Sequence, residues 1–167
     1  MRTWSLASTD RAVSGRRTSD TDGIVRTSLQ IQAAALPWRR MSSGIEIMLV
    51  TSRGRGHWLL PKGWPDRNER LHDAASREAY EEAGLKGIVA VQEFGRYFYH
   101  KRMAASAIAC EVSVFPLRVV RVADKWKESG QRSRKWMGPS EAMEAVQQPD
   151  LRALIAAFFE TAARNAA

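Results

Sequence analysis

The chain has 167 residues, 44% hydrophobic and 26% charged, which are ordinary proportions for one globular domain with room for a short extension. Its apolar runs, such as 47–50 and 154–159, fall far short of the roughly 18 residues that cross a bilayer. The single cysteine, Cys110, excludes an internal disulfide framework and a cysteine zinc cluster. The formal charge of +8 suggests an acidic partner: nucleic acid, a membrane surface or a phosphorylated small molecule.

Residues 1–30 are rich in Ser, Thr and Arg and lack apolar periodicity, so a disordered N-terminal extension is expected there. A targeting segment is the lesser alternative, because Asp10, Asp20 and Asp22 are unusual in one. The organised domain is read as 31–167. Strands are predicted at 31–39 and 45–51, joined by a turn at Ser42-Ser43-Gly44. A second turn at 53–56 leads to a short strand at 57–60. Gly63, Pro65, Asp66 and Asn68 make 61–68 a loop. Residues 71–83, rich in Ala, Glu and Arg, predict a helix, with Gly84 placed for a left-handed cap. Strands follow at 88–100 and 106–120. Pro139 and Pro149 open two further helices, the last running to about Asn165. This order departs from regular βα alternation and favours a mixed β sheet with helices on its faces.

The chemistry concentrates in the first helix. At about 100° per residue, Glu78, Glu81 and Glu82 share an arc of about 100° with residues that prefer burial, among them Ala74, Ala75 and Leu85. Like charges at these spacings repel, and more so when desolvated. No Lys or Arg lies inside the arc. Arg77, just outside it, can reach Glu81 at i+4. A cation from outside the helix is the natural remedy. Oxygen-only ligands suit hard divalent ions, which also engage substrate phosphates.

The spacing extends beyond the helix: Gly63, Glu69, Arg77-Glu78, Glu81-Glu82, Gly84 and then the aliphatic Leu85. These residues resemble the signature of the Nudix hydrolase family at every fixed position, with Ala79 small where the family often carries a larger aliphatic. The flanking stretches 33–37, 60–63 and 126–136 resemble the branch that cleaves diphosphoinositol polyphosphates and diadenosine polyphosphates. The resemblance covers roughly 30–160 and implies a Nudix fold, a mixed β sheet sandwiched between α helices.

The resemblance also implies roles. Glu78, Glu81 and Glu82 correspond to the family's metal ligands for Mg²⁺ or Mn²⁺, and Glu69 to a further ligand or base. Arg77 pairs with a box carboxylate and orients it. Lys62, before the box glycine, offers a backbone carbonyl to the metal and a side chain to phosphate. Glu128 lies where some members recruit another acid, although an exposed loop acid is the plainer reading. Arg53, Arg55, Lys62, Arg132 and Arg134 are expected to bind substrate, within a basic set that includes Lys101 and Arg102. His57, His72 and His100 read as surface or edge residues, and Cys110 as core filler. Trp58, Trp126 and Trp136 read first as packing residues, with stacking on a base as the alternative.

The expected function is divalent-metal-dependent hydrolysis of a phosphoanhydride in a highly anionic small molecule, such as a diadenosine polyphosphate or inositol pyrophosphate. The alternatives are an RNA 5′-pyrophosphohydrolase, a nucleotide clean-up pyrophosphatase, or a catalytically silent nucleotide- or RNA-binding regulator. A cytoplasmic location with no membrane partner is expected.

Overall fold

In the computed structural model, which describes residues 29–102, 104 and 107–165, the apolar stretches pair into an eight-stranded mixed sheet. Of the extension predicted over 1–30, residues 1–28 lie outside the described residues, and Gln30 already begins a strand. At the centre, β1 (Gln30–Met41) runs parallel to β7 (Ala107–Val122), from Gln30 opposite Cys110 to Trp38 opposite Arg118. Its C-terminal half turns back antiparallel into β2 (Gly44–Thr51). The short β3 (Trp58–Leu59) pairs with β2.

Side chains alternate across a strand, and here both faces are buried. Ala33, Ala35, Met48, Val50, Phe115 and Leu117 face α1 (Leu71–Ala83). Ala34, Leu36, Ile47, Leu49, Val112 and Val114 face the opposite layer, built on α2 (Pro139–Ala145) and α3 (Pro149–Arg164). The sheet is therefore sandwiched between helices, as the residue pattern implied. On the α1 side small residues meet: Ala33 and Ala35 below, Ala74, Ala75, Ala79 and Ala83 above, all fully buried. The small side chains let the helix lie close on the sheet. On the other side α3 presents Leu151, Leu154, Ile155, Phe158 and Phe159, the i, i+3, i+4, i+7, i+8 stripe of a helix buried on one face. Each such side chain stabilises the fold by roughly 1.5–3 kcal/mol.

Two expectations are corrected, and one strand is added where none was expected. The stretch 61–68 is not all loop: Lys62–Gly63 form β4, paired with Ala33 and Ala34. The strand expected at 88–100 is two strands, β5 (Leu85–Val89) and β6 (Gly95–Arg102), broken at 90–94. Both pair antiparallel with β7, whose 16 residues are long enough to take them in succession along one edge. The unassigned stretch after 129 contains β8 (Arg134–Met137), which pairs with β2.

Candidate active site

The carboxylate helix is held at both ends. At its C-terminus Gly84 takes φ 65°, a left-handed conformation, and donates its N–H to the carbonyls of Ala79 and Tyr80. A Cβ there would also lie 2.9 Å from Trp126 Cβ. The carbonyls beyond are orphans of the helix end, and one segment meets them in turn. The backbone N–H of Glu128 donates to Glu81 O at 3.2 Å, and Trp126 Nε1 to Glu82 O at 3.0 Å. Arg134 Nη1 donates to Ala83 O at 2.5 Å and the N–H of Ala123 to Gly84 O at 2.8 Å. Arg134 also reaches Ala123 O and stacks 3.9 Å from the centre of the Trp126 ring.

Before the helix, Arg77 ties the preceding loop to it. Its Nε and Nη2 grip both oxygens of Glu69 at 3.0 and 2.9 Å. Nη2 also donates to Trp64 O, and Nη1 to Glu78 Oε1 at 2.7 Å. The Arg77 hydrogen bond holds the Glu69 carboxyl below the usual carboxylate range, and Glu69 raises the Arg77 pKa in return. Gly63 lies against the Glu78 carboxylate so closely that a Cβ would sit 2.2 Å from its Oε1. Only glycine leaves that carboxylate its place.

These constraints bring Glu78, Glu81 and Glu82 to one wall of an open cleft of about 480 Å³. Glu128 lines it too, half-enclosed rather than an exposed loop acid. Lys62, Arg53, Lys101 and Arg132 supply its positive charge. Glu82 is 6% exposed, and burial pushes its pKa up to about 7 against the pull of Arg132 and the Lys62 backbone N–H, which donates to Oε2 at 3.1 Å. Burial also raises Glu78. The Lys62 ammonium is itself pulled down by burial. It contacts the Tyr99 hydroxyl at 3.2 Å, and Tyr99 donates to Gln32 Oε1 at 2.6 Å.

The donor chemistry fits a hard divalent cation. The cleft offers carboxylate oxygens and no sulfur, and burial raises the pKa of Glu78 and Glu82, an opposition to their charge that a nearby cation offsets. Among the described residues no three His, Cys, Asp or Glu side chains stand grouped so that they could hold a metal ion as they are placed. Mg²⁺ does not require such a group, since it usually takes one or two carboxylates with water and substrate phosphate. The carboxylates are instead paired: Glu78 with Arg77, Glu81 with Lys127 at 2.6 Å, and Glu82 with Arg132. Glu78, Glu81, Glu82 and Lys62 are the residues that would hold the ion, once these pairs loosen.

Some expected roles change. Glu69 does not line the cleft, because both its oxygens are spent on Arg77. Arg134 does not line it either and serves the helix end instead. Arg55 is exposed in the β2–β3 turn, away from the lining. Arg132 lines the cleft but is buried, donating to Thr51 O and paired with Glu82 and Glu128. Arg53 remains exposed at the rim, 3.9 Å from Glu128. Gln32, Trp64 and Asp66 join the lining without having been singled out. Trp64 directly follows the box glycine and carries Lys101 at 5.4 Å from its ring, a neighbourhood that motif spacing alone did not disclose. Cys110 is buried, as expected.

With this geometry in place, comparison with known proteins is direct. The family model of the NUDIX domain matches residues 30–158, and the chain belongs to the Nudix family. It is 34% identical over 127 residues to Nudix hydrolase 21, chloroplastic, of Arabidopsis thaliana, covering 74% of this chain and 63% of the plant protein, so it spans less than two thirds of that relative's length. It is 28% identical over 137 residues to diphosphoinositol polyphosphate phosphohydrolase 3-alpha of Mus musculus, covering 78% of this chain and 74% of that one. The crystal structure of C. elegans Ap4A hydrolase shares its fold with a TM-score of 0.58 at 21% identity, over 78% of this chain and 96% of the other. No helix among the described residues is long and apolar enough to cross a membrane.

Proposed function

We propose that the protein hydrolyses phosphoanhydride bonds in a highly anionic small molecule, with Mg²⁺ or Mn²⁺ as cofactor. One observation carries this reading: Glu78, Glu81 and Glu82 line a single open cleft together with the basic Lys62, Arg53, Lys101 and Arg132 and two further acids, Asp66 and Glu128. A carboxylate wall alone would repel a polyphosphate. A bound divalent ion would neutralise the phosphate charge and lower the pKa of an attacking water. Lys62 and Arg53 then bind the phosphates that flank the reacting one, and Arg77, locked by Glu69, keeps Glu78 in place. Glu128, held by Arg132 Nε at 2.5 Å, is an acid within the same cleft that could take a proton from water.

The names of the mouse and worm relatives indicate two substrate classes, diphosphoinositol polyphosphates and Ap4A. Both are dense polyanions and suit the basic rim. The retained carboxylates favour an enzyme over a silent binder, since binding alone does not need three acids facing phosphate. A turnover screen of dinucleoside polyphosphates, inositol pyrophosphates, sugar nucleotides and triphosphorylated RNA, with Mg²⁺, with Mn²⁺ and with chelator, tests the proposal. Hydrolysis of a polyanion that stops in chelator is the expected result. Absence of turnover on all of them, or full activity in chelator, sinks it.

A further inference from the structure

A cavity of about 550 Å³ opens at the C-terminal end of α1 and shares no lining residue with the carboxylate cleft. Its positive charge comes from Lys86 on β5, Arg121 on β7 and Lys125 in the segment after β7, against one acid, Asp124. All three cations are exposed, and none is ion-paired among the described residues. Cations nearby do find partners: Lys127 pairs with Glu81, and Arg96, on the other strand along the β7 edge, pairs with Glu93 and Glu111. The Lys86 ammonium lies 4.6 Å from the centre of the Tyr80 ring, which also lines the cavity. Such a contact holds the charge in place without neutralising it.

Strand register brings two of these charges face to face. β5 and β7 pair regularly from Val89 opposite Leu117 to Gly87 opposite Val119, then slip by one residue, so that Arg121 rather than Val120 stands opposite Lys86. A bulge of this kind adds a residue to one strand and re-aims the side chains beyond it. Gly87 permits the close approach, since a Cβ there would lie 2.1 Å from Arg118 O. Like charges directly opposite across a ladder are destabilising. Folding alone therefore does not favour Lys86 opposite Arg121, and a bound anion would. The free carbonyls of a helix C-terminus disfavour an anion. Here those of Glu81, Glu82, Ala83 and Gly84 already accept from Glu128, Trp126, Arg134 and Ala123.

We infer that this cavity binds an anion carrying two or more phosphate groups, free or as a lipid headgroup, at a site separate from the carboxylate cleft. The volume is within the range of small-molecule sites, roughly 300–1,000 Å³. Arg121 offers a planar fork that grips one phosphate through two parallel hydrogen bonds, and the ammoniums of Lys86 and Lys125 act as point charges for another. Asp124 alone supplies no set of carboxylates for a catalytic metal, so the site holds its ligand without cleaving it. The inference does not depend on the hydrolase reading, because the two sites have no residue in common.

The test titrates inorganic tripolyphosphate into the full-length, metal-free protein at constant ionic strength and follows it by NMR. The Tyr80 ring and the Gly87 amide report on this cavity, and the Trp64 indole on the carboxylate cleft. Saturable shifts at Tyr80 and Gly87 are expected in the wild type. Lys86→Gln/Arg121→Gln should weaken that binding at least tenfold, the effect of losing hydrogen bonds to a charged group, and leave the Trp64 response unchanged. Because this variant removes two opposed cations, its melting temperature without the anion should not fall. If it does not fold, Lys125→Gln, outside any strand or helix, should weaken binding several-fold. Sedimentation with phosphatidylcholine vesicles, with and without phosphatidylinositol bisphosphate, separates the two sources. Retention on the phosphoinositide vesicles that tripolyphosphate competes away and the double variant lacks assigns a headgroup, and tripolyphosphate binding without retention assigns a free ligand. A response at Trp64 alone, a Tyr80 shift that grows without saturating, or one that persists unchanged in the double variant would overturn the inference.

Discussion

Glu82 shows how much of this site is decided one side chain at a time. It is almost fully buried, receives the Lys62 backbone N–H and is paired with Arg132. Replacing it by Gln keeps shape but removes charge, and turnover should fall on the order of 10²-fold or more while the circular dichroism spectrum stays native. Near-normal turnover would contradict its assignment to the metal. The same residue makes metal-free stability depend on pH. Burial raises its pKa from 4.5 to about 7, so the fold binds that proton more tightly than the unfolded chain does. Its stabilising contribution is complete below about 4.5 and is lost as pH rises through about 7. In chelator, the melting temperature should therefore decline across that window, and less steeply in Glu82→Gln. Identical pH profiles for the two proteins would count against the buried-carboxylate account. Gly63 is the complementary case. A Cβ placed 2.2 Å from Glu78 Oε1 must push the carboxylate aside. Gly63→Ala should thus lose activity on the order of 10²-fold, as expected for a misplacement of about 1 Å. Retention of wild-type kcat would show that the carboxylate can sit elsewhere.

At the scale of elements, the helix α1 and the segment 123–134 form one unit. Trp126, Glu128 and Arg134 meet carbonyls at the helix C-terminus that would otherwise be unpaired. Arg134 is therefore a structural arginine and Arg53 a surface one, although both read as phosphate binders in sequence. The two can be separated. Arg134→Ala should cost roughly 1–3 kcal/mol in urea denaturation and leave KM for the anionic substrate nearly unchanged. Arg53→Ala should raise KM and shift stability by no more than about 0.5 kcal/mol. The reverse pattern would mean that Arg134, not Arg53, reaches substrate.

For the whole molecule, the distribution of charge matters more than its total. Residues 31–167 hold 21 Lys and Arg against 15 Asp and Glu, and the acids include the box helix. The positive excess therefore lies outside the carboxylate wall, with Arg53, Lys62 and Lys101 among the cleft residues. Each added phosphate gives this rim another charge-assisted contact. kcat/KM should rise from diadenosine tri- to tetra- to pentaphosphate, and the preference should shrink as salt screens it. A preference that ignores salt, or a stronger reaction with ADP-ribose, would place recognition outside the rim.

The carboxylate helix could be read directly from the residues. Its limits, its Gly84 cap and the shared face of Glu78, Glu81 and Glu82 all follow from local spacing, because a helix places neighbours by a fixed rotation along one segment. The box residues also follow a local spacing, so the family was visible before any fold. What local spacing cannot contain is pairing between distant segments. The β4 and β8 strands exist only because Ala33 and β2 stand opposite them. The single long stretch at 88–100 became two strands because β7 accepts both. The roles of the arginines were likewise tertiary. Arg53, Arg132 and Arg134 are chemically alike, and only packing left one at the rim, buried one between two acids and set one on a helix end. The basic cavity joins α1, β5 and the end of β7. A guanidinium or an ammonium takes its function from the partners that long-range contacts bring to it, and those partners are far away in the chain.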